Sequence, residues 1–262
     1  MERALGIELF ERVGRSLRLS EAGAILLQSV RFLERSYEES LAAIDALRGL
    51  QRGKLRLAAV ESVSVALLPD VLASFAAQYP GIETAVAVAG SEAVAGLVRE
   101  GEADVGFTFN PSSLAGLLKV YERDMPIGAL VSPSHPLARR RRLSLAECLK
   151  YPVALPAPGL SLRTILDTVL SGMSPPPRVA LEANSLRLMS ALAGRGRCIA
   201  FQTTIGIERE LAAKSLVLIP LSDPLLPVDR FTIVRPEGRK ATLAAAAFLG
   251  QTMSRLKTGS RK

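Results

Sequence analysis

The sequence predicts an α/β fold in two lobes behind a long helix, on three observations. A unit ordered strand, loop, helix, strand, loop, helix, strand fills about fifty-five residues from Gly53, and a second unit of matching order begins at Pro152. Ahead of both, apolar residues recur along one segment at the spacing of a helical seam. Small hydroxyl and amide residues follow the strands of both units at equivalent places.

The elements follow in order. Gly14 marks a tight turn between Glu11-Arg12-Val13 and Ser16-Leu17-Arg18-Leu19, which predicts a small hairpin within residues 1–20. Ser20 and Glu21 then read as a helix cap and an acidic first turn. The helix is expected from Glu21 to Leu50, with apolar positions at Leu26, Val30, Leu33, Tyr37, Leu41, Ile44 and Leu47. Their steps of 4, 3, 4, 4, 3 and 3 are those of a coiled-coil seam. At ~1.5 Å per residue the helix is ~45 Å long, more than a small domain needs. The opposite face carries Arg31, Glu34, Arg35, Glu38, Glu39 and Asp45. A dimerising helix is therefore expected, in preference to one lying along the next domain.

In the first unit, Lys54–Ala58 alternates as a strand and Glu61-Ser62-Val63-Ser64 interrupts it. A helix from Val65 to Gln78, a strand over Ile82–Val88, a helix over Glu92–Arg99 and a strand over Ala103–Phe109 follow. In the second, strands over Pro152–Leu155, Arg178–Leu181 and Arg197–Phe201 alternate with helices over Leu162–Leu170 and Leu186–Ala193, the latter capped at Asn184-Ser185. Strands alternating with helices imply parallel βαβ units covered on both faces.

In open α/β sheets ligands sit where strand ends feed helix N-termini, whose free N–H groups favour anions. The candidate binding residues at those places are Ser62, Val63, Ser64, Ser91, Thr108, Asn110, Ser161, Gln202 and Thr203. Each alone reads equally as a cap; their recurrence in both units points to a cleft for a small polar molecule. Arg163 stands two residues past Ser161, where it reads as a solvated helix residue or a partner for a ligand carboxylate.

Nothing in the pattern supports catalysis. His135 is the one histidine, so no relay or metal site forms around a second. Neither a phosphate-binding GxxxxGK[ST] nor a post-strand GxGxxG occurs, and no cofactor is expected. Cys148 and Cys198 have no metal or disulfide spacing and fit buried thiols in a reducing compartment. With no secretory signal and no apolar run approaching ~18 residues, a soluble cytoplasmic protein without a membrane partner is expected. The net charge of +8 is two clusters, Arg139–Arg142 and Arg255, Lys257, Arg261 and Lys262, which leaves the rest of the chain neutral. Bulk charge is thus a weak argument for nucleic acid.

The ordered motifs resemble the LysR-type family of bacterial transcription regulators. Met1–Arg12 is similar to that family's LExxLGxxLFxR, and Arg15–Gly23 to its RxxxLTxAG. Gly53-Lys54-Leu55-Arg56-Leu57 is similar to GxLRI, Phe75–Pro80 to FxxxYP, Gly101–Phe107 to GxLDLAI, and His135–Ala138 to HPLA. The resemblance covers nearly all of the chain, and Ala200-Phe201-Gln202-Thr203 departs from it where the family commonly has Leu-Pro.

It implies a two-lobed, periplasmic-binding-protein-like (type 2) effector domain preceded by a wing hairpin and a dimerisation helix. Residues 1–20 would be the end of a recognition helix and a wing, 21–52 the linker helix, and 53–262 the effector-binding domain. Lobe I would take about 53–128 and 232–262, and lobe II about 129–231, with crossings near 126–132 and 228–234 and a last helix over Ala241–Leu256. Roughly 35 residues of helix-turn-helix would precede Met1, so the expectation is a chain impaired in sequence-specific DNA binding. Arg12, Arg15 and Arg18 would contact DNA phosphates or the minor groove. The partners implied are DNA, a small-molecule effector, a second copy or three more in a homodimer or homotetramer, and RNA polymerase. The competing reading is a cytoplasmic solute-binding protein with no DNA role; an enzyme on the same fold is a third.

Overall fold

The computed structural model describes residues 1–14, 16–46 and 52–259. Helix α1 (Glu2–Leu5) leads into a hairpin of β1 (Phe10–Val13) and β2 (Ser16–Leu19), paired antiparallel with Phe10 opposite Leu19. Helix α2 (Glu21–Ala46) follows, and the expected stretch over 47–50 lies outside the described residues. The Ser20 hydroxyl caps it by accepting from Gly23 N at 3.0 Å, and donates to Glu8 O at 2.7 Å. Gly23 lets the helix meet the hairpin base, since a Cβ there would lie 2.0 Å from Leu9 O.

The first lobe opens with β3 (Gly53–Ala59), α3 (Glu61–Ala66), α4 (Leu68–Gln78), β4 (Ile82–Val88), α5 (Ser91–Arg99), β5 (Val105–Phe109) and β6 (Leu117–Met125). The chain then crosses at 126–127. The second lobe holds β7 (Gly128–Val131), α6 (Leu145–Cys148), β8 (Val153–Pro156), α7 (Ser161–Leu170), β9 (Val179–Ala183), α8 (Leu186–Gly194), β10 (Ala200–Gln202), α9 (Glu208–Ala212) and β11 (Val217–Pro220). It crosses back over 221–228 into β12 (Asp229–Pro236) and α10 (Leu243–Gly259).

The first sheet has the order β4-β3-β5-β12-β6, with β12 antiparallel to both neighbours and β3 parallel to its own. In the second lobe β8 pairs parallel with β9, and β7 lies between β10 and β11. The bridge Val153–Ile199, with Ala154 N donating to Ile199 O at 2.8 Å, joins these pieces into the order β9-β8-β10-β7-β11. Both lobes thus arrange equivalent strands in one order, as the repeated unit implies.

Each lobe has its own core. Phe75, Phe107 and Phe248 meet edge-on in the first, with centroids 5.4 and 6.3 Å apart along the chain of rings, so α10 closes the lobe that α4 opens. Leu143, Leu145, Leu155, Leu166 and Phe201 fill the second.

Three readings shift. Glu61–Ser64 is not an interruption but the first turn of α3. Val63 is fully buried in the lobe I core, and that burial overrides the weak helix propensity of its serines and valines. Pro69, with no N–H to give, separates α3 from α4. Residues 229–231 pair in the first sheet, so the second crossing precedes 228–234. The last helix starts at Leu243 because Thr242 Oγ1 accepts from Ala245 N at 3.1 Å.

Candidate functional site

A cavity of about 320 Å³ lies between the lobes. Its walls are the segments at and after the ends of equivalent strands: Val60–Ser62 after β3, Val88–Ser91 from the end of β4, Phe109 at the end of β5, Leu160–Leu162 after β8, Asn184–Leu186 after β9, and Gln202-Thr203 from the end of β10. Asp229, the first residue of β12, completes it.

Of the nine candidate residues, Ser62, Ser91, Ser161, Gln202 and Thr203 line this space. Ser91 Oγ donates to Ser161 Oγ at 3.3 Å, so the starts of α5 and α7 touch across the lobes. Gln202 is committed internally: Oε1 accepts from Ser190 Oγ at 2.9 Å and Nε2 donates to Ile205 O at 3.1 Å. The other four support the wall. Val63 is core, and Ser64 Oγ donates to Glu61 O at 2.8 Å on its own helix. Thr108 Oγ1 donates to Ser91 O at 3.0 Å, and Asn110 Nδ2 donates to Asp229 Oδ1 at 2.7 Å.

Two carboxylates were not among the expected residues. Glu61 reaches across the lobes to the start of α8, where Oε1 accepts from Ser185 Oγ at 2.8 Å and Oε2 from Leu186 N at 2.7 Å and Arg187 N at 3.4 Å. That seat is the positive end of a helix, and Ser185 Oγ caps it further by accepting from Leu188 N. Asp229 is 5% exposed, and burial pushes its carboxyl up to about 7. Neither is a small residue after a strand, so the pattern that found the serines could not find them.

The lobes also touch at Gly206, where φ is +99° and a Cβ would lie 3.0 Å from Ser62 Cβ, so a side chain there would part them. Arg163 does not face the cavity. Its guanidinium donates to Asp167 at 2.8 Å, to Glu182 at 2.7 Å and to Pro156 O at 2.9 Å.

Arg12 and Arg18 are exposed on β1 and β2; Arg15 lies outside the described residues. Arg18 stands opposite Glu11, and Arg12 opposite Leu17, so the two arginines project from opposite faces of the hairpin. Among the described residues no group of three or more His, Cys, Asp or Glu is placed to hold a metal ion, and no helix is long and apolar enough to cross a membrane. Burial pushes the Cys148 thiol up to about 12, with Asp223 and Glu147 adding to it, and raises that of Cys198, so both resist forming thiolate.

Two βαβ lobes joined by two crossings, with helix N-termini around a cleft, define a ligand-binding domain of the periplasmic-binding-protein-like type 2 fold. Residues 48–257 match the LysR substrate binding domain, and the chain belongs to that family. It is therefore placed among transcription regulators and not among enzymes. A relative described as the HTH-type transcriptional regulator CbbR of Rhodospirillum rubrum is 27% identical over 253 residues, 95% of this chain and 83% of that protein. The regulatory domain of Synechocystis CcmR in complex with 2-PG superposes with a TM-score of 0.68 at 21% identity, covering 78% of this chain and 97% of that one. A full-length OxyR variant from Pseudomonas aeruginosa gives 0.71 at 18% identity, covering 97% and 81%.

Proposed function

We propose that this chain is a cytoplasmic LysR-type regulator whose interlobe cleft binds a small polar or anionic effector and whose hairpin contacts DNA. The observation that carries the reading is the cleft itself: helices from both lobes begin around one cavity, and the lobes already touch across it. The relatives are regulators, and the CcmR domain holds 2-PG, which supports a small ligand as the signal. Arg12 and Arg18 serve as phosphate contacts, which position without reading sequence. Helix α2 joins two copies, and the ligand acts through its differential affinity for two arrangements of the assembly, which changes DNA bending and RNA polymerase recruitment.

The test needs a variant that fills the cleft without strain. Gly90 provides it, because it lines the cavity, has extended backbone with φ −70°, and a Cβ there meets nothing within 4 Å. In calorimetry against 2-PG, shikimate and a panel of small acids, the chain binds at least one compound and Gly90→Phe loses it. Binding retained by Gly90→Phe refutes the cleft. In gel shifts on DNA upstream of the gene, Arg12→Ala and Arg18→Ala each weaken binding evenly across sequences and lower the salt slope by about 0.9.

A further inference from the structure

The charge inventory of the cleft narrows what enters it. Among the described residues its lining holds two carboxylates, Glu61 and Asp229, and no Lys, Arg or His. Glu61 has its compensation in the start of α8. Asp229 does not: among the described residues the one hydrogen bond to its side chain is from the neutral amide of Asn110, on Oδ1. The adjacent Arg230 turns away to Asp124, 3.0 Å from its Nε. Asp229 is thus a buried carboxyl with an acceptor oxygen left over, on the wall of a cavity and, among the described residues, with no cation paired to it. Burying such a charge is costly unless a proton or a positive partner neutralises it.

The opposite sign is on offer elsewhere in the same cleft. Helices α5 and α7, of nine and ten residues, both begin in it, and neither has a side-chain cap. Among the described residues the N–H groups of Ser91, Glu92 and Ala93 in α5 and of Ser161 and Leu162 in α7 have no partner, while Arg163 N donates to Leu160 O at 3.0 Å; the free ones are donors at the positive ends of two helices. The start of α8, by contrast, is filled by Glu61 and Ser185. Ser62, Thr203 and Asn184 also line the space, and their side chains make no hydrogen bond among the described residues.

Given that the cleft is the effector site, we infer that the effector is a small zwitterion of the amino-acid class, its ammonium group on Asp229 and its acidic group at the starts of α5 and α7. An ammonium supplies both the missing positive charge and the missing donors. A phosphate or a plain hydroxy acid meets the helix starts equally well but leaves Asp229 uncompensated. Burial pushes the Asp229 carboxyl up, which describes the same deficit.

The experiment is calorimetry at pH 7.5 with the twenty protein amino acids, and with the α-hydroxy acid counterpart of each binder (glycolate for glycine, lactate for alanine, glycerate for serine). At least one amino acid binds, and its hydroxy counterpart binds at least tenfold more weakly. In Asp229→Asn, which keeps an oxygen for Asn110, that preference collapses to less than threefold while thermal unfolding stays cooperative. No binding across the twenty overturns the inference, as does a hydroxy acid that binds as tightly as its amine. A preference that survives Asp229→Asn overturns it too. If a hydroxy acid binds and Gly90→Phe abolishes it, the cleft reading stands and the ammonium falls. Amino-acid binding that survives Gly90→Phe overturns the cleft reading with it.

Discussion

Asp229 also makes a statement about stability. Its folded value of about 7 lies above the ordinary carboxyl value of 3.8, so the native state holds this proton more tightly than the unfolded chain does. Its contribution is fully present below about pH 3.8 and is lost as pH rises through 7. Urea midpoints of the empty chain at pH 5 and pH 8 therefore fall further for the wild type than for Asp229→Asn, and equal drops would contradict the burial argument. Comparing the two variants cancels groups common to both, His135 included. At this scale the sequence was half legible. Serines after strands announce themselves because cap residues have few other reasons to recur. Glu61 sits in a segment that reads as a break and takes its partners from across the lobes, and Asp229 sits in one that reads as a crossing. The Gln202 departure drew attention to the right place, but Ser190 and Ile205 hold its amide inside the second lobe.

Among the elements, the hairpin and α2 form a unit whose contact rests on Gly23. Gly23→Ala drives a methyl into Leu9 O, at a cost of about 1–3 kcal/mol in overpacking. Hydrogen exchange should then accelerate over 10–19 while β3, β5 and β12 keep their protection; unchanged exchange in the hairpin would show that the contact is dispensable. Elements with apolar periodicity were legible, and those without it were not. Strand β6 is an edge strand whose Lys119, Glu122, Arg123 and Asp124 hide its pairing with β12. Helix α6 is one turn long and has no period to read; a capping box holds it, in which Ser144 Oγ accepts from Glu147 N at 3.2 Å and Glu147 Oε2 accepts from Ser144 N at 2.9 Å. The HPLA resemblance has a structural content as well. His135 Nδ1 accepts from Leu137 N and its ring meets Tyr151 at 4.7 Å, so the motif is a turn anchored on lobe II.

For the whole molecule, α2 lies along lobe I and also offers an apolar stripe. Arg31 pairs with Glu102, and the Arg239 guanidinium sits 4.8 Å over the Phe32 ring, which ties the helix to the lobe. Leu33, Tyr37 and Ile44 remain 65%, 66% and 59% exposed, four and seven residues apart. Light scattering at micromolar concentration should give a dimer or larger, and Leu33→Asp with Tyr37→Asp a monomer. A monomeric wild type would exclude the helix as a dimer seam. The repeat was the most legible feature of the chain, because two copies of one order constrain each other; the crossings were less so, since 221–228 carries Pro224 and Pro227 and no period. The bridge from Glu61 to α8 has a consequence for the cell. Lobes held together by their own side chains have less ordering left to do when a ligand arrives. Every 1.4 kcal/mol that the bridge adds to their alignment lowers the half-saturating concentration by up to about tenfold. On the proposed reading of the cleft as an effector site, a change at position 61 thus shifts the concentration at which the site half-saturates.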